Sequence, residues 1–175
     1  MINSGYENGR VGIIAIPQKR INGKERTLGF RKALQEYNIK GADIRQLEVW
    51  NDEETYGFTT DMIGKFHDLR AVWIQTSNPY NGVLKALQDS GKEDEILFVA
   101  FDAEPEFLDL IPENKIMATG MQQPYLMGQK AMNAMNDHLS GKEVKKDIQV
   151  PILIISSENI QQNLPKIKIN VLGVQ

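Results

Sequence analysis

Cysteine is absent from this chain of 175 residues, which excludes thiol nucleophiles, thiolate zinc sites and a disulfide framework. No apolar run approaches the roughly 18 residues that a membrane-spanning helix needs. Charge of neither sign dominates: 20 basic and 23 acidic residues leave a net charge of −3. The longest basic stretches, Lys19-Arg20 and Lys145-Lys146, are too short for the electrostatic footprint of a dedicated nucleic-acid binder. Histidine is scarce. His67 and His138 both fall on predicted helices, and no His/Asp/Glu spacing forms a metal cluster. A proline in Ile16-Pro17-Gln18-Lys19-Arg20 stands where a phosphate loop or dinucleotide fingerprint needs glycines, and Asn22-Gly23-Lys24 reads as a turn. No G-x-S-x-G elbow occurs. Catalytic residues, a metal and a cofactor are therefore not expected. Met1 to Arg10 is polar and lacks the apolar centre of a signal peptide. The chain is either cytoplasmic or a piece of a longer one that begins after its signal.

What remains is an ordinary globular composition, 41% hydrophobic and 25% charged, long enough to bury a substantial core. Short apolar runs alternate with amphipathic segments. Val11 to Ile16, Ala71 to Ile74 and Ile96 to Phe101 are short, β-branched or aromatic runs, as strands buried on both faces require. Asp43 to Val49 is a more polar, edge-like strand candidate, and Lys115 to Met121 and Ile148 to Ile155 are further strands. Between them, apolar residues recur at helical spacing: Phe30, Ala33, Leu34 and Tyr37; Thr59, Met62, Ile63 and Phe66; Tyr80, Val83, Leu84 and Leu87. Ser90-Gly91 closes the third helix. Residues 105–111 make at most two helical turns. Pro124 opens a long helix with Gly128, Ala131, Met132, Met135 and Leu139 on one side, and the tail after Ser157 is read as irregular. Strict alternation predicts an α/β fold with a mostly parallel sheet.

Parallel α/β sheets place ligands at the carboxyl ends of their strands. The first strand leads to Arg26, expected at a helix start. The second is followed by Trp50, the third by Gln75-Thr76-Ser77-Asn78, the fourth by Asp102 and the fifth by Gln122-Gln123. A guanidinium, an indole, hydroxyls, amides and one carboxylate along a single sheet edge suit a neutral polyhydroxylated ligand. The carboxylate accepts hydroxyl protons, Arg and amide groups donate, and the indole covers the C–H face of a sugar ring. Each residue also has a structural explanation. Asp102 fits a cap on the short helix after it, Asn78 a cap on the third helix, and Trp50 a packing residue. Glu53-Glu54 reads as a solvated helix start. The coincidence of five strand ends favours a site.

The same residues carry a family resemblance. Glu25-Arg26-Thr27-Leu28-Gly29-Phe30-Arg31-Lys32-Ala33-Leu34, the run Gln75 to Leu87, Val99-Ala100-Phe101-Asp102 and Ala118 to Gly128 resemble, in order over about residues 8–160, the second half of type I periplasmic sugar-binding proteins. That domain also serves as the effector-binding part of LacI-type transcription regulators. The resemblance implies a three-layer, parallel-sheet lobe of a two-lobed, hinged domain with the ligand between lobes. It assigns sugar contacts to Arg26, Trp50, Asp102 and the hinge residue Gln122. Thr76 stands where the family usually has Asn, which bears on sugar specificity, and Ser77 and Asn78 lie beside it.

By the same resemblance, residues 1–123 are the C-terminal lobe, incomplete at its start, and 124–147 form a helix that packs on an N-terminal lobe absent from this chain. Residues 148–175 are the return strand and tail. Isolated, the chain exposes the apolar face of that helix, so association, as in a dimer, is expected. The implied function is sugar capture for a membrane transporter outside the cytoplasm. The alternatives are an effector domain reaching DNA through a separate helix-turn-helix, and a small α/β enzyme. Ser140-Gly141-Lys142-Glu143-Val144 and Pro151 to Ile160 look more like the transporter proteins.

Overall fold

The computed structural model describes residues 9–39 and 41–174. Six strands form one sheet in the order β2-β1-β3-β4-β5-β6. They are β1 (Arg10–Ala15), β2 (Ala42–Gln46), β3 (Leu69–Ile74), β4 (Leu97–Phe101), β5 (Ala118–Met121) and β6 (Leu153–Ser156). β1 to β5 run parallel, and β6 returns antiparallel along β5. The apolar runs form the interior: Val11, Ile13, Ile14, Val72 and Ile74 are fully buried. The more polar β2 lies at the sheet edge, where one side needs no partner strand.

Helices on both faces make three layers. On one face lie α2 (Asp52–Lys65), α3 (Tyr80–Asp89), α4 (Phe107–Leu110) and α6 (Ile160–Lys166). They bury Met62, Val83, Leu87, Phe107, Ile111 and Ile160 against the sheet. Each such side chain contributes about 1.5–3 kcal/mol relative to exposure. α2 and α3 approach closely at Gly82, where a Cβ would collide with the Asp52 carbonyl and the Thr55 hydroxyl. The stripes predicted for these two helices are their packed faces. Ser90-Gly91 closes α3, with Gly91 at φ +63° and the Lys92 N–H returning to the Leu87 carbonyl at 2.9 Å.

On the other face, α1 (Ile21–Glu36) covers the β2-β1-β3 half. The β4-β5-β6 half carries half-buried Leu97, Val99 and Ala118 and exposed Ile154. α5 (Pro124–Leu139) has no buried residue; Met127, Met132, Met135 and Leu139 are exposed.

Several expectations are corrected. α1 begins at Ile21, five residues before Arg26, so Asn22-Gly23-Lys24 is helical rather than a turn. Its buried residues are Gly23, Thr27 and Leu34, whereas Ala33 and Tyr37 of the predicted stripe are exposed. The return strand is Leu153–Ser156, not Ile148–Ile155, because Pro151 lacks an N–H for the ladder. The tail after Ser157 is ordered: α6 and a π-helical turn, Ile167–Val171, anchor it through buried Ile160 and Ile167. β5 starts at Ala118 rather than Lys115, with Ile116 already buried ahead of it.

Candidate functional site

At the carboxyl ends of β1, β3, β4 and β5, a connected set of polar groups converges on Arg26. Its guanidinium lies over the Phe101 ring, 3.7 Å from the centroid, and Nη1 donates to the Gln75 carbonyl at 2.6 Å. Gln75 is fully buried and joins three elements: its Oε1 accepts from the Ile16 N–H at 3.2 Å, and its Nε2 donates to Thr27 Oγ1 at 2.7 Å. Arg26 therefore projects from α1 against a support fixed by both strand end and helix.

Asp102 follows β4 with φ +65°, a left-handed conformation that Asp tolerates better than most residues. Its N–H donates to the Gly120 carbonyl at 2.9 Å, and its carbonyl accepts from Thr119 Oγ1 at 2.6 Å. Gln122 Nε2 donates to Asp102 Oδ1 at 2.9 Å, leaving Oδ2 to accept from a ligand. Burial holds the Arg26 guanidinium below its ordinary value, and the Asp102 charge opposes that shift. The Asp102 carboxylate is thus near enough to act on the Arg26 guanidinium, and at a half-buried surface charge-assisted hydrogen bonds to either group are stronger than in water.

The remaining predicted residues lie outside this hydrogen-bonded set. Trp50 is half-buried against the α2–α3 core, adopts φ +66° and has the Arg20 guanidinium 5.4 Å from its ring centroid. Thr76 is half-buried and adjoins Gln75, whose carbonyl holds Arg26. Asn78 is exposed and does not cap α3, whose N-cap position is Pro79 without a side-chain bond. Asp102 does not cap α4 either; that position is Glu106. Ser77, between Thr76 and Asn78, is engaged with Glu104, its Oγ donating to Oε1 at 2.6 Å.

Two supports escaped the reading of the sequence. Phe101 reads there only as the last residue of an apolar strand, but the alternation of β4 turns it to the α1 face, beneath Arg26. Gln75 counts there as one of several strand-end amides; a glutamine closing the run Ala71 to Ile74 is the signal that a buried amide is needed. His67 and His138 are exposed. Among the described residues no group of three His, Cys, Asp or Glu side chains could hold a metal ion. No helix among them is long and apolar enough to cross a membrane.

Comparison with known proteins agrees with this architecture. Residues 1–143 match the model of the periplasmic binding protein domain. The ribose import binding protein of Bacillus subtilis (strain 168) is 35% identical over 135 residues, 74% of this chain and 41% of the relative. A periplasmic ribose ABC transporter structure from Conexibacter woesei DSM 14684 superposes with TM-score 0.83 at 21% identity, over 90% of this chain and 54% of the other. An ABC transporter periplasmic solute binding protein from Actinobacillus succinogenes 130z, with bound D-allose, gives TM-score 0.82 at 19% identity, over 92% and 57%. The chain spans about two fifths of the length of its Bacillus relative. With four fifths of its residues inside the family match, the chain belongs to the periplasmic binding protein domain family.

Proposed function

We propose that the chain is the sugar-binding lobe of a solute-binding protein that delivers a monosaccharide to an ABC-type membrane transporter outside the cytoplasm. The observation that carries this reading is the Arg26–Phe101–Asp102–Gln122 set at converging strand ends, in a chain 35% identical to a ribose import binding protein. Arg26 and Gln122 donate to ligand oxygens and Asp102 accepts hydroxyl protons, while Trp50 covers a ring face and Thr76 tunes selectivity from the β3 end. Asn78, exposed beside them, contacts ligand only when a second wall closes the cleft. The reading is one of reversible binding: ligand bridges two lobes and biases an open–closed equilibrium by its differential affinity.

In this reading residues 1–123 form one lobe, α5 packs on the other, and residues 148–175 return to the first. The complete absence of buried residues on α5 supports that assignment. The named relatives are transport binding proteins, which favours this reading over an effector domain of a DNA-binding regulator. The test is a thermal-shift and calorimetric screen of the complete transport protein against monosaccharides, beginning with D-ribose and D-allose. Saturable stabilisation by at least one pentose or hexose is expected, and no response to any of them overturns the reading.

A further inference from the structure

The link between β2 and α2 poses a physical problem. Trp50 sits at φ +66°, a region in which a bulky L-residue crowds its own backbone and which glycine or asparagine usually occupies. Something must hold it there. Three consecutive backbone N–H groups, those of Glu48, Val49 and Trp50, all donate to one carboxylate, that of Glu54. Glu48 reaches Oε1 at 2.7 Å, and Val49 and Trp50 reach Oε2 at 3.1 and 2.8 Å.

Asn51-Asp52-Glu53-Glu54 opens α2. Asn51 is the N-cap of α2, and its Oδ1 accepts from the Glu54 N–H at 2.9 Å. In a capping box the residue at the Glu54 position would return to the N-cap N–H. Here its carboxylate passes over Asn51 and gathers the three preceding donors instead. Successive N–H groups curled around an anion form a nest, and in this loop the anion is supplied by the chain itself. Bonds to an ionised acceptor are stronger than neutral ones. Just upstream, the Leu47 N–H is held by the Ala15 carbonyl at 2.8 Å. The loop is thus pinned at both ends, and the turn at residues 48–50 takes its shape around Glu54.

We propose that Glu54 is a positioning residue: by binding the three N–H groups of residues 48–50 it holds Trp50 in its left-handed conformation and fixes the indole between the α2–α3 core and the Arg20 guanidinium. The consequence for ligand rests on the reading of Trp50 as the ring-covering wall; the positioning itself does not. Glu54 touches no ligand in this scheme and acts only through the backbone of Trp50.

The test uses Glu54→Ala, Glu54→Gln, Trp50→Gly and the double variant Glu54→Gln/Trp50→Gly. Trp50 and Trp73 are the two tryptophans. Trp73 is buried and stacked on Phe30, so it gives a constant background for fluorescence. Glu54→Ala is expected to expose the Trp50 indole to acrylamide quenching without loss of secondary structure, with Glu54→Gln intermediate. Unchanged quenching in the folded variant overturns the proposal. Should the alanine variant not fold, the thermal cycle decides. Glu54→Gln is expected to lower the unfolding midpoint by about 3–6 °C with tryptophan at position 50, and by clearly less with glycine, which adopts φ +66° without strain. An equal loss in both backgrounds reduces Glu54 to an ordinary helix cap and overturns the proposal. In the complete transport protein, Glu54→Ala is expected to raise the D-ribose dissociation constant about tenfold, in step with Trp50→Ala. If quenching responds but neither change affects D-ribose binding, the positioning stands and the sugar role of Trp50 falls.

Discussion

Asp102 and Gln122, 20 residues apart, meet through a 2.9 Å hydrogen bond from the Gln122 amide to Oδ1 of the carboxylate. The bond joins the residue after β4 to the residue after β5. It orients the carboxylate, whose backbone is already fixed by Gly120 and Thr119. A group held from both sides loses little entropy when a ligand arrives, and preorganisation of this kind is worth affinity.

On the proposed reading, Asp102→Ala and Arg26→Ala should each weaken sugar binding by the two-lobed protein by about 2 kcal/mol or more, because each leaves buried partners unpaired. Asp102→Asn should fall between, since asparagine tolerates φ +65° and still accepts from Gln122 but carries no charge. Arg26→Lys should resemble alanine more than wild type. An ammonium cannot lie flat on Phe101 while reaching the Gln75 carbonyl. Isothermal titration calorimetry reads all four, and unchanged affinity for both alanine variants would sink the site assignment.

Gln123, next to the site, ties together segments that the sequence keeps far apart. It is 4% exposed; its Nε2 donates to the Pro151 carbonyl at 2.7 Å and its Oε1 accepts from Asn170 Nδ2 at 2.9 Å. Gln123→Leu removes both bonds at once and should cost about 2–3 kcal/mol of stability. Hydrogen exchange of the π-helical turn Ile167–Val171 should speed up more than that of β1 or β3. Uniform acceleration across the sheet would show that the amide stabilises the whole fold and not this junction.

Burial raises the Tyr80 phenol above its ordinary value of 10.0; Glu106 and Glu104 add to the shift, and a hydrogen bond with Asn81 opposes it. The folded state therefore holds the proton more tightly than the unfolded chain. This contribution to stability is complete below the ordinary value and is lost as pH rises through the raised one. Tyr80→Phe keeps the edge-to-face contact with Phe107 at 5.0 Å and removes the titration. Above pH ~10 the unfolding midpoint should fall more steeply with pH in wild type than in the variant. Parallel curves would place the alkaline sensitivity elsewhere.

The strands were legible because a parallel sheet covered on both faces demands unbroken apolar runs, and Val11 to Ile16 or Ile96 to Phe101 have no other good explanation. The strand-end residues followed from them: Arg26, Asp102 and Gln122 meet because the ends of β1, β3, β4 and β5 meet. Side-chain supports were harder to see. Glu54 looked like a solvated helix start, since nothing in Glu53-Glu54 says which carboxylate turns back to the loop. Gly23 signalled a turn, yet its lack of a side chain serves close packing: a Cβ there would lie 2.8 Å from both Ile16 Cγ1 and the Pro17 carbonyl. α6 was hidden by Pro165, which sits inside a helix of seven residues that the burial of Ile160 and Ile167 compensates.

α5 supplies the last prediction. Tyr125, Gly128, Met132, Met135 and Leu139 recur at alternating spacings of three and four, the pattern of a helix seam. Met132 is 67% and Leu139 78% exposed. Such a stripe on an otherwise folded chain favours association. The isolated 175-residue chain should self-associate in sedimentation velocity, and Met132→Lys with Leu139→Lys should render it monomeric. At concentrations too dilute for association, where neither side chain is buried, the midpoint of the isolated chain should change by no more than about 2 °C. On the proposed two-lobed reading, the same pair should be clearly destabilising in the two-lobed protein, since there the stripe would be covered by the second lobe and two lysines would enter an apolar contact. A monomeric isolated chain and an unperturbed complete protein, found together, would mean that the stripe faces water in both, and the assignment of α5 to the opposite lobe would be wrong.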